Sequence, residues 1–285
     1  MAPSEAGPVT GFVVYAPTRA LNAAYTHVFM VRGSALGQKS AGPCTRGGLK
    51  PRGGSPTPCR SSRGSSRPRT ADTDTDTDTV ILFDVMDTIV HDPFYTAMPA
   101  YFDLTFEQLL EQKHPTAWID FESNRLTEDE FFEIFFKDGR RIDRHDFVQR
   151  VLMDNYEILP GMDGLLRSLR GHGFDLRAFS NYPVWYEYVE EACGLSKYLS
   201  WEFVSCLPPL STQGLRKPSE GCFEVVMDRL REGGVAGSVP RVLFVDDRAA
   251  NVDAAERAGM EGILFEGAEA LASTLGEKLG VKIIE

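Results

Sequence analysis

From Val80 onward short apolar runs alternate with longer amphipathic stretches, and that alternation leaves the chain few architectures. The runs cover residues 80–84, 174–179, 201–205, 241–246 and 262–265, each the length of a strand buried on both faces. Helical periodicity fills 162–170, 184–193, 220–231 and 249–258. Parallel strands need crossovers of roughly a dozen residues or more, and every gap is long enough. The pattern predicts an α/β fold with a doubly wound parallel sheet.

The first gap, residues 85–173, far exceeds what one crossover helix uses. Within it Thr127 and Glu130 form a capping-box pattern ahead of Phe131, Phe132, Phe135 and Phe136, while Phe147, Val148, Val151 and Leu152 repeat at helical spacing. A small helical cap over 92–158 is expected, inserted into a core of 80–91 and 159–285. Its aromatics are read as the cap's own core rather than a ligand cage.

Residues 1–70 have another texture, rich in Gly, Pro, Ser, Ala and Arg. They hold ten of the 30 Lys and Arg but one of the 41 Asp and Glu, so the chain from Ala71 onward carries a net −20. A body so acidic repels nucleic acid and anionic lipid. The basic leader reads as an organelle transit peptide, for chloroplasts rather than mitochondria because its Ser/Pro/Gly-rich part forms no Arg-bearing amphipathic helix. A disordered tail is the alternative, and the protein would then be cytoplasmic. The Asp-Thr alternation ending at Thr79 makes 71–79 a linker.

No membrane span is expected, since Arg19, His27 and Arg32 interrupt the one apolar stretch of interest. The five cysteines show no Cys-x-x-Cys spacing, so neither a disulfide framework nor a zinc site is expected. Nothing in the pattern specifies an oligomeric state.

Ligands of open α/β sheets gather at the carboxyl ends of strands. Val80-Ile81-Leu82-Phe83 runs into Asp84, Phe179 into Ser180-Asn181, and Val242-Leu243-Phe244-Val245 into Asp246-Asp247. Three carboxylates at one edge repel one another unless a cation lies between them, and magnesium suits hard oxygen ligands. Lys217, ahead of Pro218, is placed to balance the charge. Taken singly each feature has a plain reading, as helix cap, turn or loop pair.

Their joint order is more telling. An apolar strand with Asp84-x-x-x-Thr88, then Ser180-Asn181, Lys217-Pro218, and a strand ending Asp246-Asp247 with Asn251 beyond, resembles the four-motif signature of the haloacid dehalogenase superfamily. The resemblance spans roughly 80–280 and includes Leu159-Pro160-Gly161-Met162 and the stretch from Ala254-Ala255 to Gly259-Met260. It implies a Rossmann-like core with a cap between the first two motifs, and magnesium-dependent hydrolysis of a small phosphorylated metabolite through an aspartyl-phosphate intermediate. By that resemblance Asp84 is the nucleophile; Asp84, Asp246, Asp247 and the Met86 backbone carbonyl hold Mg2+; Ser180, with Asn181 beside it, binds substrate; and Lys217 steadies Asp84.

Met86 departs from the pattern, because phosphatases of the family usually carry an aspartate there to protonate the leaving oxygen. Methionine donates no proton, so alkyl alkoxides should leave slowly and aryl or acyl phosphates better. Asp87 is the candidate substitute acid. Two other readings stay open: a metal-free dehalogenase-type hydrolase, whose halide product needs no proton, and a catalytically weak binding or regulatory protein. His91-Asp92 reads as a solvated pair at the hinge, and Lys113 and Lys137 as solvated residues at helix ends.

Overall fold

The computed structural model describes residues 79–233 and 240–284. The leader, 1–70, and residues 71–78 lie outside them, so the transit-peptide and linker expectations concern undescribed chain. Thr79, expected to end the linker, is instead the buried first residue of a strand.

Five strands, β1 (Thr79–Phe83), β2 (Asp175–Ser180), β3 (Ser200–Val204), β4 (Arg241–Asp246) and β5 (Glu261–Leu264), form one parallel sheet in the order β3-β2-β1-β4-β5. The fold is the expected α/β, Rossmann-like one. β1 is buried along its whole length, because strands flank it on both edges and other elements cover both faces. That is why its sequence is an apolar run rather than an alternation. Beneath the sheet Phe179, Phe203, Phe223 and Phe244 are fully buried, with Phe179 and Phe244 centroids 5.3 Å apart. Each such ring contributes about 1.5–3 kcal/mol on leaving water.

Crossover helices present one apolar face each. In Met162–Gly171 the buried residues are Met162, Leu165, Leu166 and Leu169, at helical spacing. Gly161 ahead of it has φ 83°, a left-handed conformation that glycine adopts without strain. Among the described residues no helix is long and apolar enough to cross a membrane.

Between β1 and the crossover helix Met162–Gly171 the chain makes short helices: Ala97–Tyr101, Phe106–Gln112, Ala117–Glu122, Glu128–Ile134 and Arg144–Phe147, the last running on into wider π turns over Val148–Met153. Reciprocal capping boxes at Thr105/Gln108 and Thr127/Glu130 start two of them. The insert leaves and rejoins the core at one neck, where Val90 bridges Ile158 and the His91 amide donates to the Glu157 carbonyl at 3.0 Å.

The insert's core is aromatic. Phe121 and Phe131 stack at 4.5 Å, and Trp185, contributed by the segment after β2, meets both edge-on. Polar contacts fasten the same side. The Trp185 indole donates to Glu128 at 2.6 Å, the Ser205 hydroxyl donates to the Glu122 carbonyl at 2.6 Å, and the Glu122 carboxylate pairs with Arg216.

Candidate active site

Because β1 lies between β2 and β4, the residues ending those three strands meet at one edge of the sheet. The Asp84 amide donates to the Val245 carbonyl at 2.8 Å, which locks Asp84 beside the end of β4. Asp84, Asp246 and Asp247 each offer a carboxylate oxygen within 4.8 Å of the others. Burial pushes the Asp247 carboxyl up to about 8, with repulsion from Asp84 and Asp246 adding to it. Asp246 is raised as well, mainly by burial and against the pull of Lys217. A compact set of hard oxygens that resist ionising together fits a small divalent cation.

Lys217 braces the cluster. Its buried ammonium donates to Asp84 Oδ1 at 2.9 Å, to Asp246 Oδ2 at 2.6 Å and to the Phe179 carbonyl at 2.7 Å. Burial alone would push that ammonium's pKa down, but the attraction of Asp246 and Asp84 outweighs it and holds the pKa above its ordinary value. Asp246 is fixed from its other side by the Arg248 amide at 2.9 Å and by the Asn251 side chain at 2.9 and 3.0 Å.

Ser180 ends β2, buried, and its hydroxyl has no hydrogen-bond partner in the described protein. An unmet buried hydroxyl beside a charged cluster is primed for a ligand oxygen. Asn181, beside Ser180, also braces the lysine. Its amide both donates to the Lys217 carbonyl at 2.8 Å and accepts from the Lys217 amide at 2.9 Å, so it clamps the lysine's backbone.

The turn after Asp84 carries Met86, its side chain buried, and then Asp87 at φ 55°. Asp87 Oδ1 accepts from the Asp92 amide at 2.9 Å, and burial raises its pKa. Asp92 is not the solvated hinge residue expected. It caps the turn Pro93–Tyr95 by accepting from the Phe94 amide at 3.0 Å, and burial, reinforced by Asp87, lifts it to about 7. Lys113 is likewise buried rather than solvated, and desolvation lowers it to about 8. Lys113 caps the end of the helix Phe106–Gln112 and pairs with Phe136 in an isolated antiparallel bridge, a contact that local sequence does not signal.

Two arginines escaped the sequence reading. Arg248 donates to the Tyr95 hydroxyl at 3.1 Å and ties the loop after β4 to the start of the insert. Arg216 holds Glu122 on the other side. Each is the immediate neighbour of a residue the sequence did single out, Asp247 and Lys217 respectively, and that adjacency was the available signal.

The profile of the haloacid dehalogenase-like hydrolases matches residues 79–259. The chain is 43% identical over 206 residues to an Arabidopsis thaliana protein named flavin mononucleotide hydrolase 1, chloroplastic, covering 72% of this chain and 78% of that one. A magnesium complex of a haloacid dehalogenase family enzyme from Bacteroides thetaiotaomicron aligns with a TM-score of 0.54 at 15% identity, over 69% of this chain and 98% of the other. A second structure of that enzyme aligns at 0.50 and 14% identity, with the same coverage. At such identities the structures speak for the fold alone.

Proposed function

The chain belongs to the haloacid dehalogenase-like hydrolases, and from that premise we propose that it hydrolyses a small phosphomonoester with magnesium bound, flavin mononucleotide being the foremost candidate. The observation that carries this reading is the Asp84, Asp246 and Asp247 cluster, braced by Lys217 and set beside the unpartnered Ser180 hydroxyl. Halide-releasing relatives work without a metal, so the acidic pair Asp246-Asp247 beside Asp84 favours the phosphoryl reading. The substrate comes from the Arabidopsis relative's name, and magnesium is supported by the three clustered carboxylates, which suit a hard divalent cation. The relative's chloroplast designation and the basic, acid-poor first 70 residues support a plastid location.

Asp84, Asp246, Asp247 and the Met86 carbonyl would hold magnesium, which supplies charge neutralisation for the phosphoryl oxygens. The chain's own groups divide the remaining work. Lys217 occupies Asp84 Oδ1, leaving Oδ2 to attack phosphorus. Ser180 donates its hydroxyl hydrogen to a phosphoryl oxygen. As the Asp84 oxygen bonds to phosphorus, the ester P–O bond breaks and the leaving oxygen takes a proton. Water then attacks phosphorus of the aspartyl phosphate, its proton passing back to the acid that protonated the leaving oxygen, and the Asp84–phosphorus bond breaks to release phosphate and restore Asp84.

Flavin mononucleotide is an alkyl ester, so its leaving oxygen needs that proton, and Met86 has none to give. Asp87, adjoining Met86 and kept proton-retentive by burial, takes the role. The test is phosphate release from flavin mononucleotide and from p-nitrophenyl phosphate, with magnesium or a chelator. Asp84→Asn should abolish both reactions. Asp87→Asn should slow the alkyl ester by about 10²–10⁴-fold and the aryl ester much less. Equal losses on both esters would remove Asp87 from the acid role, and magnesium-independent turnover would remove the metal.

A further inference from the structure

An unbroken series of ring contacts runs through the insert from the loop after β4 to the segment after β2. Its first foot is Tyr95, whose hydroxyl accepts from Arg248, the residue following Asp247 at the end of β4. Tyr95 lies 5.4 Å from Phe106 and 5.3 Å from Phe94, and Phe94 lies 5.7 Å from Trp118. Trp118 reaches Tyr182 at 6.0 Å. Tyr182 is the second foot, directly after Ser180-Asn181 at the end of β2, with its amide bonded to the Ser205 hydroxyl at 3.0 Å. Since β1 lies between β2 and β4, the arch spans the strand that presents Asp84.

Most of the insert's rings have a structural role that accounts for them. Phe121, Phe131 and Phe147 are fully buried around Trp185. Trp118 touches the same cluster through Phe121, Phe131 and Trp185, yet it and Phe106 are only partly buried. Both are also held firmly. Phe106 opens a helix started by the Thr105 capping box, and Trp118, in the helix Ala117–Glu122, meets Phe121, Phe131 and Trp185 edge-on. Partly exposed rings in a series anchored beside both Asp247 and Ser180 suit a flat aromatic group carried by the substrate.

We infer that Phe106 and Trp118 form a stacking platform for a planar heteroaromatic ring on the substrate, and so select aromatic nucleotide-type phosphomonoesters over simple sugar phosphates. This rests on the phosphomonoester reading above and adds the residues that set its specificity. The transferred phosphoryl group lies at Asp84 while the ring rests under the arch. Binding of the ring therefore affects KM more than the chemical step.

The experiment compares flavin mononucleotide with ribose 5-phosphate, which lacks a ring, on the unaltered protein, Trp118→Leu, Trp118→Phe and Phe106→Leu. Both leucine variants should raise KM for flavin mononucleotide about tenfold. They should leave kcat, and kcat/KM for ribose 5-phosphate, within about twofold, and Trp118→Phe should recover part of the loss. Trp118 also touches the buried Trp185, so if its leucine variant fails to fold, Phe106→Leu carries the test. Equal losses on both substrates, or an unchanged KM for flavin mononucleotide in Phe106→Leu, would overturn the inference. Riboflavin fluorescence gives a second readout that needs no hydrolysis. Quenching by the unaltered protein that is lost in the leucine variants supports the platform, and absence of quenching overturns it. Riboflavin binding without cleavage of flavin mononucleotide would support the platform while sinking the substrate assignment alone.

Discussion

One ammonium group, that of Lys217, neutralises two carboxylates from different strands and also satisfies the Phe179 carbonyl. Removing it while the carboxylates stay buried leaves negative charges facing each other with nothing between. Lys217→Met should therefore lower unfolding stability by about 3–5 kcal/mol in chelator. Magnesium should restore part of that, because it binds the native carboxylates and not the unfolded chain. Urea unfolding with and without magnesium checks both statements. A loss that magnesium leaves untouched would mean that Lys217 and the cation do not share those carboxylates. At this scale the sequence is informative where chemistry and strand position coincide. Asp84, Ser180, Lys217, Asp246 and Asp247 all follow from what ends a strand or precedes a helix. The contacts of Asn181 do not, because its residue type marks it as polar without saying which backbone its amide will satisfy. The structure spends that amide on both the N–H and the carbonyl of Lys217, some 36 residues further along the chain.

Among the elements, β4 runs over the residues its apolar pattern predicts, and the other strands shift by a residue or so at an end. Such ends depend on hydrogen bonds to neighbouring strands, which local pattern does not contain. The insert's partners were less legible still, because Trp185 reads locally as part of a core helix start yet packs into the insert's aromatic cluster. Close approach between elements is equally hidden. Gly262 in β5 passes under the helix Ala249–Arg257 so tightly that an added Cβ would stand 2.7 Å from Val252 Cγ1 and 2.9 Å from Glu256 Cγ. Gly262→Ala should destabilise the protein by about 1–3 kcal/mol through overpacking. It should also disturb activity, since the displaced helix carries Asn251, which holds Asp246. The expected denaturation curve has a lower midpoint and an unchanged slope. A variant as stable as the parent would show that the helix yields freely, and the tight contact would then have no energetic weight.

For the molecule as a whole the distribution of charge matters more than its sum, because the active site gathers raised carboxylates in a body that is already acidic. Asp92 is lifted to about 7 and Asp247 to about 8, both chiefly by burial, from an ordinary value of 3.8. The sign of the consequence follows from proton counting. Between the unfolded value and the folded one, the native state keeps protons that the unfolded chain releases, so stability falls as pH rises from about 4 to about 8. Above that range the penalty is constant. A divalent cation on Asp84, Asp246 and Asp247 favours their ionised forms and lifts part of the penalty, most where the protons would otherwise have been retained. Magnesium should therefore raise the thermal midpoint by several degrees near pH 8.5 and by distinctly less near pH 5.5. Sodium chloride matched in ionic strength controls for screening of the body's general repulsion. Asp246→Ala should remove most of the magnesium-specific rise, while Asp92, which lies outside the proposed cation site, keeps its own pH slope. Calorimetric scans across that pH range, in chelator or magnesium, distinguish the cases. An equal rise at both pH values, or one that survives Asp246→Ala, would place the cation elsewhere than on these three carboxylates.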